Sequence, residues 1–285
     1  MKVRLLIPAL AALMLLSACS GARFINDITP TGGYALKRDV PFGDHQLKLD
    51  IYAPAHALNA PLVVFFYGGS WQSDKTLDKS AYKFAGQALA AQGYVAVIAD
   101  YRLYPAVKYP EFLDDCAQAV LWAHQHATEF GADPSKLILM GHSAGAYNAV
   151  MLALNPAFLK KADADRAWIR GVIGLAGPYD FLPITDPVLQ TLFGEREQWP
   201  LTQPIHYVDD HAPPMLLMAG EDDDTVFVKN TNNLARELVA HHDQVTRVVY
   251  PSMSHVRIVA QMSTWIPGHQ KLMAEIGQFI SRVTN

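Results

Sequence analysis

Four apolar residues, Leu137-Ile138-Leu139-Met140, run straight into Gly141-His142-Ser143-Ala144-Gly145, and a helix-compatible stretch follows to about Leu154. This junction constrains the fold more than any other part of the chain. A Gly-x-Ser-x-Gly pentapeptide alone arises by chance in roughly one chain in ten of this length, so the flanks carry the argument. A buried strand that passes through a tight turn into a helix leaves the serine hydroxyl on a strained corner at the strand's C-terminal end. Side chains at positions 141 and 145 would collide inside such a turn, and Ala144, Gly145 and Ala146 let the helix start close to the sheet. Ser143 is therefore the candidate nucleophile.

The rest of the chain supplies the sheet that this corner requires. Residues 46–52 alternate polar and apolar side chains, as a half-exposed antiparallel strand does. Residues 61–67 hold the continuous apolar run Val63-Val64-Phe65-Phe66, which fits a strand buried on both faces. Residues 94–99, 136–140, 169–175, 214–218 and 245–250 read as further strands, and 79–91, 110–129 and 270–282 as helices. A hairpin-like opening followed by strand–helix units predicts an α/β fold, a mostly parallel sheet with helices on both faces. The 51% hydrophobic content is ample for one core. No repeat or composition shift divides residues 31–285. Residues 178–213, rich in proline and carrying Tyr179, Phe181, Phe193 and Trp199, are expected to form a small cap. A formal net charge of −4, with no run of Lys and Arg, excludes a nucleic-acid footprint.

A serine hydroxyl attacks poorly at neutral pH unless a base takes its proton and an acid orients that base. On a strand–turn–helix serine the acid and then the histidine follow in chain order. His241, His242, His255 and His269 remain as partners. His241 and His242 end the helix before residues 245–250 and so belong to the opposite sheet edge. His269 opens the last helix. His255 follows the strand and emerges at the edge where Ser143 stands, which makes it the expected base. The acid belongs to the turn after residues 214–218, where Glu221, Asp222, Asp223 and Asp224 are consecutive. Composition cannot choose among them; a solvated acidic turn with one working member is favoured over a calcium site, and no metal is expected. Cys116, within the helical stretch 110–129, reads as a buried structural thiol.

Acyl transfer also needs N–H groups aimed at the developing oxyanion. Ala144 supplies one. Tyr67-Gly68-Gly69-Ser70-Trp71 follows the strand 61–67 on the same edge, which makes Gly69 and Ser70 the other candidates. Trp71, Tyr104, Phe181 and Trp199 are candidates for an apolar substrate pocket.

With these pieces in place, the chain from about residue 46 onward resembles the α/β-hydrolase family. It is similar to the bacterial carboxylesterase branch, near hormone-sensitive-lipase-like esterases and arylformamidases. The resemblance rests on Leu49-Asp50-Ile51-Tyr52-Ala53-Pro54, the Gly-Gly-x-Trp loop at 68–71, Asp100-Tyr101-Arg102-Leu103 and Gly-His-Ser-Ala-Gly. It implies that the acid stands three residues after Gly220 and shortly before Val226, which selects Asp223, with Asp222 and Asp224 as alternates. It also implies a serine carboxylic ester hydrolase acting through an acyl-enzyme on a small or medium ester, without cofactor. An arylformamidase or a peptidase would share the triad. A non-catalytic surface-anchored binding protein would be expected to lack a triad member. One departure stands out: the family usually opens the oxyanion loop with His-Gly-Gly, and this chain has Tyr67.

The N-terminus carries a separate message. Lys2 and Arg4 precede an apolar stretch over residues 5–16, and Leu16-Ser17-Ala18-Cys19 resembles the bacterial lipobox. The expectation is a signal peptide over 1–18, a lipidated Cys19 anchoring the protein to a membrane, and a tether over 19–30. Each buried CH₂ of the lipid adds about 0.8 kcal/mol. Ser20, in place of an aspartate, points to the outer membrane of a Gram-negative envelope; an ordinary signal would leave a periplasmic or secreted protein.

Overall fold

The computed structural model describes residues 25–26, 29, 32–75 and 77–285. The expected signal peptide and Cys19 lie outside the described residues. The chain opens with β1 (Tyr34–Phe42), β2 (Leu47–Pro54) and β3 (Ala60–Phe66), then continues through α1 (Lys83–Ala91), β4 (Val95–Ala99) and α2 (Glu111–His126). Next come β5 (Ala132–His142), α3 (Ala144–Leu154), α4 (Pro156–Lys161), β6 (Ile169–Leu175), α5 (Pro187–Phe193) and β7 (Met215–Gly220). The last elements are α6 (Lys229–Ala240), β8 (Val245–Tyr250), α7 (His255–Ala260) and α8 (His269–Thr284).

Among the described residues the strands form one eight-stranded sheet in the order β1-β2-β4-β3-β5-β6-β7-β8. β2 runs antiparallel to both β1 and β4, and every later pair is parallel. Side chains alternate between the faces of a strand, so a strand buried at successive residues must be covered on both faces. β4 and β7 are buried throughout, as are Leu137–His142 of β5. β5 sits at the centre, with Met140 opposite Phe65 of β3 and Ile173 of β6. This is the α/β-hydrolase architecture.

Several boundaries differ from the sequence pattern for identifiable reasons. β1 has no clear apolar rhythm because it is an edge strand, exposed over much of its length and bulged between Lys37 and Val40. β2 is buried from Leu49 to Ala53 rather than half exposed, being flanked on both sides; its Asp50 lies 3.1 Å from the Lys79 ammonium. β5 starts at Ala132, four residues early. Asp133-Pro134-Ser135 reads as a turn, yet Ala132 and Asp133 pair with Ala60 and Pro61 before the register shifts. The helix expected at residue 79 begins as a 3₁₀ turn, Lys79–Tyr82, capped by Asp78, and becomes α-helical only at Lys83.

Residues 178–213 hold α5 and two 3₁₀ turns. Leu192, Phe193 and Trp199 pack into the main core, and Tyr147 of α3 donates to the Thr202 carbonyl (2.7 Å). The segment therefore lies on the sheet's α3 side as a cover without a core of its own. The expected tether also ends inside the fold. Asn26 donates to the Ser80 carbonyl (2.9 Å) and accepts from the Phe84 N–H (3.0 Å), filling a first-turn donor of α1. Thr29 meets Ser263 at 2.9 Å, and Ile25 is buried.

Candidate active site

Ser143 sits between β5 and α3 with φ 55° and ψ −123°, a left-handed conformation costly for a residue with a Cβ. The surrounding sheet holds it there: its N–H donates to the Leu175 carbonyl of β6 (2.9 Å). The turn is tight enough to require glycine on both sides. A Cβ on Gly141 would stand 2.2 Å from the Gly145 carbonyl oxygen, and one on Gly145 would stand 2.0 Å from that of Phe66. All residues of α3 are buried, so the helix that begins at Ala144 presses directly on the sheet.

His255 opens α7, just after β8, and its Nε2 is 2.8 Å from Ser143 Oγ. Its Nδ1 is 2.8 Å from Asp223 Oδ2. A carboxylate only accepts, so Nδ1 carries the proton and Nε2 offers its lone pair to the serine hydroxyl, the arrangement of a general base. Asp223 is 3% exposed, and its other oxygen accepts the N–H groups of Thr225 (3.0 Å) and Val226 (2.8 Å). Asp222 and Asp224 face solvent. The acid and base loops are joined: the Asp222 N–H donates to the Met253 carbonyl (3.2 Å), and a Cβ on Gly220 would overlap that same carbonyl at 2.0 Å.

The other histidines that follow Ser143 in the chain are elsewhere. His241 pairs with Asp210 (2.8 Å) at the end of α6, and His269 lies 3.1 Å from the Gln261 carbonyl. Cys116 is buried beside Asn148, and burial pushes its thiol well above the ordinary range, so it stays protonated. Among the described residues no cluster of three or more His, Cys, Asp or Glu could hold a metal ion, so the 221–224 run does not assemble one.

Gly69, Ser70 and Trp71 follow β3 with φ of +133°, +53° and +58°, a curl that only strong support can maintain. Trp71 Nε1 donates to Asn148 Oδ1 (2.9 Å), the Trp71 carbonyl accepts from Tyr104 N–H (2.7 Å), and the Gly69 carbonyl from Gln72 N–H (3.0 Å). Gly69 and Ser70 lie in the cleft wall with Ser143. Ala144, as the first residue of α3, has no intrahelical acceptor for its N–H. Tyr67 stacks on Tyr101 with centroids 4.7 Å apart. Tyr101 donates its hydroxyl to the Tyr67 carbonyl (2.7 Å). The tyrosine thus braces the loop through its ring and its carbonyl.

Two clefts meet at Ser70, Ser143 and Thr225. One, of about 410 Å³, is walled by Ile25, Leu77, Phe84, Val256 and Val259; the other, of about 450 Å³, by Trp71, Phe181, Leu182, Ile184 and Phe227. Trp71 and Phe181 therefore stand where an apolar pocket needs them. Tyr104 and Trp199 line neither cleft. Tyr104 acts through its backbone on the oxyanion loop, and Trp199 is turned into the cover, where its Nε1 donates to the Gly194 carbonyl (2.9 Å).

His142 and Tyr82 complete the site, and neither was identified from sequence. His142 is fixed between the Tyr82 hydroxyl (2.9 Å) and the His255 carbonyl (3.0 Å). Burial, and then the nearby His255, hold its pKa well below the ordinary histidine range, so the ring is neutral. Its position inside the pentapeptide was a usable signal; Tyr82 left none.

The chain is similar in sequence to known esterases. Isoprenylcysteine alpha-carbonyl methylesterase of Arabidopsis thaliana is 24% identical over 249 residues, covering 79% of this chain and 58% of the plant protein. Esterase LipC of Mycobacterium tuberculosis is 26% identical over 244 residues, covering 78% of this chain and 60% of LipC. The chain thus spans little more than half the length of these relatives. Among solved structures, the thermostable carboxylesterase EstE1 from a metagenomic library superposes with a TM-score of 0.78 at 15% identity, over 94% of this chain and 95% of EstE1. A truncated carbohydrate esterase from gut microbiota also gives 0.78, at 18% identity, over 90% of this chain and 99% of its own. These likenesses show the fold. The BD-FAE family model matches residues 49–238, more than half of the chain, and the protein belongs to that family.

Proposed function

We propose that the chain is a serine carboxylic ester hydrolase that forms an acyl-enzyme on Ser143. The observation that carries this reading is the continuous line of hydrogen bonds from Asp223 through His255 to Ser143, opening where two apolar clefts meet. His255 Nε2 accepts the serine proton as Oγ attacks the ester carbonyl carbon. Negative charge gathers on the former carbonyl oxygen, where the N–H groups of Gly69, Ser70 and Ala144 receive it; one such donor is worth about 3 kcal/mol in the barrier. Asp223 stabilises the imidazolium. The C–O bond then breaks, the leaving alcohol takes the proton from His255, and the acyl group remains on Ser143. Water repeats the sequence and releases the acid. Every step uses groups of this chain. The neutral state of His142 matters here, because its ring centroid is 4.8 Å from that of His255. Two like charges at that distance would repel by about 3 kcal/mol at an effective dielectric constant of 20.

The apolar walls support a small or medium ester with apolar acyl or alcohol groups. The names of the similar proteins, a methylesterase, an esterase and a carboxylesterase, support the same reaction class. Formamide and peptide bonds can be cleaved by the same triad with an amine as leaving group. The test is a panel of ester, formamide and peptide substrates with Ser143→Ala as blank, together with a fluorophosphonate probe. The wild type should turn over esters and take the label, and the variant should do neither. Turnover by Ser143→Ala would overturn the assignment, and a preference for formamides or peptides would move the substrate class.

For location, we infer that Cys19 is lipidated and holds the enzyme at the cell envelope, in the outer membrane of a Gram-negative source. The support is the Leu16–Cys19 sequence with Ser20 after it. Metabolic labelling with a palmitate analogue should mark the wild type and not Cys19→Ala. Unlabelled wild type would leave a periplasmic or secreted protein.

A further inference from the structure

We propose that Tyr82 and His142 form a positioning relay that ties the backbone of the oxyanion loop to the peptide of the base His255. The proposal rests on the hydrolase reading above and concerns how its two halves are held in register.

The direction of the relay follows from its ends. His142 Nε2 lies 3.0 Å from the carbonyl oxygen of His255, which can only accept, so Nε2 carries the proton. In a neutral ring Nδ1 is then the acceptor, and the Tyr82 hydroxyl at 2.9 Å must donate to it. The Tyr82 hydroxyl in turn packs against Gly68 of the loop, where a Cβ would stand 3.0 Å from its oxygen, and burial keeps its proton in place. The chain runs from the packing contact at Gly68 to Tyr82, from Tyr82 O–H to His142, and from His142 N–H to the His255 carbonyl. His142 uses one donor and one acceptor, Tyr82 donates its hydroxyl, and both side chains are buried.

Core histidines are often satisfied in some such way, but here one end of the chain meets the glycine before the candidate oxyanion residues and the other is the peptide of His255. Gly68 precedes Gly69 and Ser70 and is packed so closely that a Cβ on it would stand 3.0 Å from Ser143 Cβ. His255 opens a helix of only six residues and follows a loop, so its main chain has little support from its own element. The relay supplies a fixed point for it. It also spends the Nδ1 lone pair of His142, which keeps that ring oriented beside the triad. The 3₁₀ turn before α1, anchored by Asp78, brings Tyr82 to this place.

The experiment compares Tyr82→Phe, His142→Leu, His142→Gln and the double variant Tyr82→Phe/His142→Leu. It measures kcat and KM on p-nitrophenyl butyrate, the rate of Ser143 labelling by a fluorophosphonate, and Tm. Tyr82→Phe should lower kcat and the labelling rate about tenfold with KM within about twofold, because small misplacement of a base acts on the chemical step. His142→Leu should be slower still. In the double variant the Tyr82 change should add less than about twofold, since its acceptor is already gone. His142→Gln, whose amide can still donate to the His255 carbonyl, should recover part of the loss seen in His142→Leu. If the leucine variants do not fold, Tyr82→Phe and His142→Gln carry the test through kcat alone. Wild-type kcat in Tyr82→Phe, an effect confined to KM, or effects that multiply in the double variant would each overturn the relay. A wild type that neither labels nor hydrolyses esters would remove the hydrolase reading itself, and the two failures are distinct.

Discussion

Replacing Asp223 by asparagine exchanges a single oxygen for an NH₂ group, and the hydrogen bonds around it dictate which way the amide must point. Oδ1 accepts from the N–H groups of Thr225 and Val226 at 3.0 and 2.8 Å. An amide nitrogen turned toward them would set donor against donor, so its oxygen stays there and the NH₂ faces His255 Nδ1. The ring must then accept at Nδ1 and carry its proton on Nε2, the atom 2.8 Å from Ser143 Oγ. A base that already holds its proton cannot take another. An acid-to-amide change of this kind in a Ser-His-Asp triad lowers kcat by about 10⁴, or about 5 kcal/mol in the barrier. Stability should change little, because both N–H groups keep an acceptor. Asp223→Ala removes that acceptor and leaves two buried donors unmet, at about 1–3 kcal/mol each. The assay is kcat/KM on p-nitrophenyl butyrate, with Tm, for Asp223→Asn, Asp223→Ala, Asp222→Asn and Asp224→Asn. The expected result is a stable but inactive asparagine variant at 223, a less stable alanine variant, and the two solvent-facing neighbours within about twofold of wild type. More than about a tenth of wild-type activity in Asp223→Asn would refute the tautomer argument. So would a larger loss in either neighbour.

Ile25→Ala should widen the cleft bounded by Leu77, Phe84 and Val259 and favour longer chains, each further buried CH₂ adding about 0.8 kcal/mol, or about fourfold in relative kcat/KM. An unchanged hexanoate-to-acetate ratio would show that Ile25 is no part of the wall. Asp100 carries the pH prediction. Burial raises its pKa to about 6 against a normal 3.8, so the folded protein holds a proton there that the unfolded chain has lost. Stability therefore falls as pH rises through that window and stays lowered above it. Asp100→Asn, which keeps an acceptor for the Lys79 N–H, should gain about 1–3 kcal/mol at pH 7 and nothing near pH 4. Equal gains at both pH values, read from Tm or urea unfolding, would contradict this.

How much of the molecule could be read from its sequence depends on the range of the forces involved. Residues 169–175 coincide with β6, buried at every position but Arg170, and residues 245–250 coincide with β8, an edge strand whose valines and threonine favour extended backbone although Arg247 is exposed. The corner at Gly141–Gly145 and the loop at Gly68–Trp71 are contiguous, so their chemistry could be read as local strings. His255 followed from topology alone: a residue just after a parallel strand emerges at the edge where Ser143 stands.

Other features had no local signature. The four consecutive carboxylates at 221–224 are alike in composition, and family register was needed to single out Asp223. In the structure the turn after β7 buries one carboxylate against His255 and two N–H groups and leaves its neighbours in water. Tyr104 and Trp199 look like pocket residues by type but face other neighbours. Ile25 and Asn26 belong to a segment that reads as a tether and yet dock beside α1. Tyr82 reaches His142 across 60 residues of chain. Hydrophobic periodicity and turn sterics act between near neighbours, so the strand–turn–helix corner, the parallel sheet and the expected chain order of serine, acid and histidine are written in local stretches of the chain. Packing alone fixes which of the four carboxylates meets His255, the walls of the clefts and the contacts of Tyr82 and His142. Those depend on which distant surfaces the packed core brings within hydrogen-bonding distance.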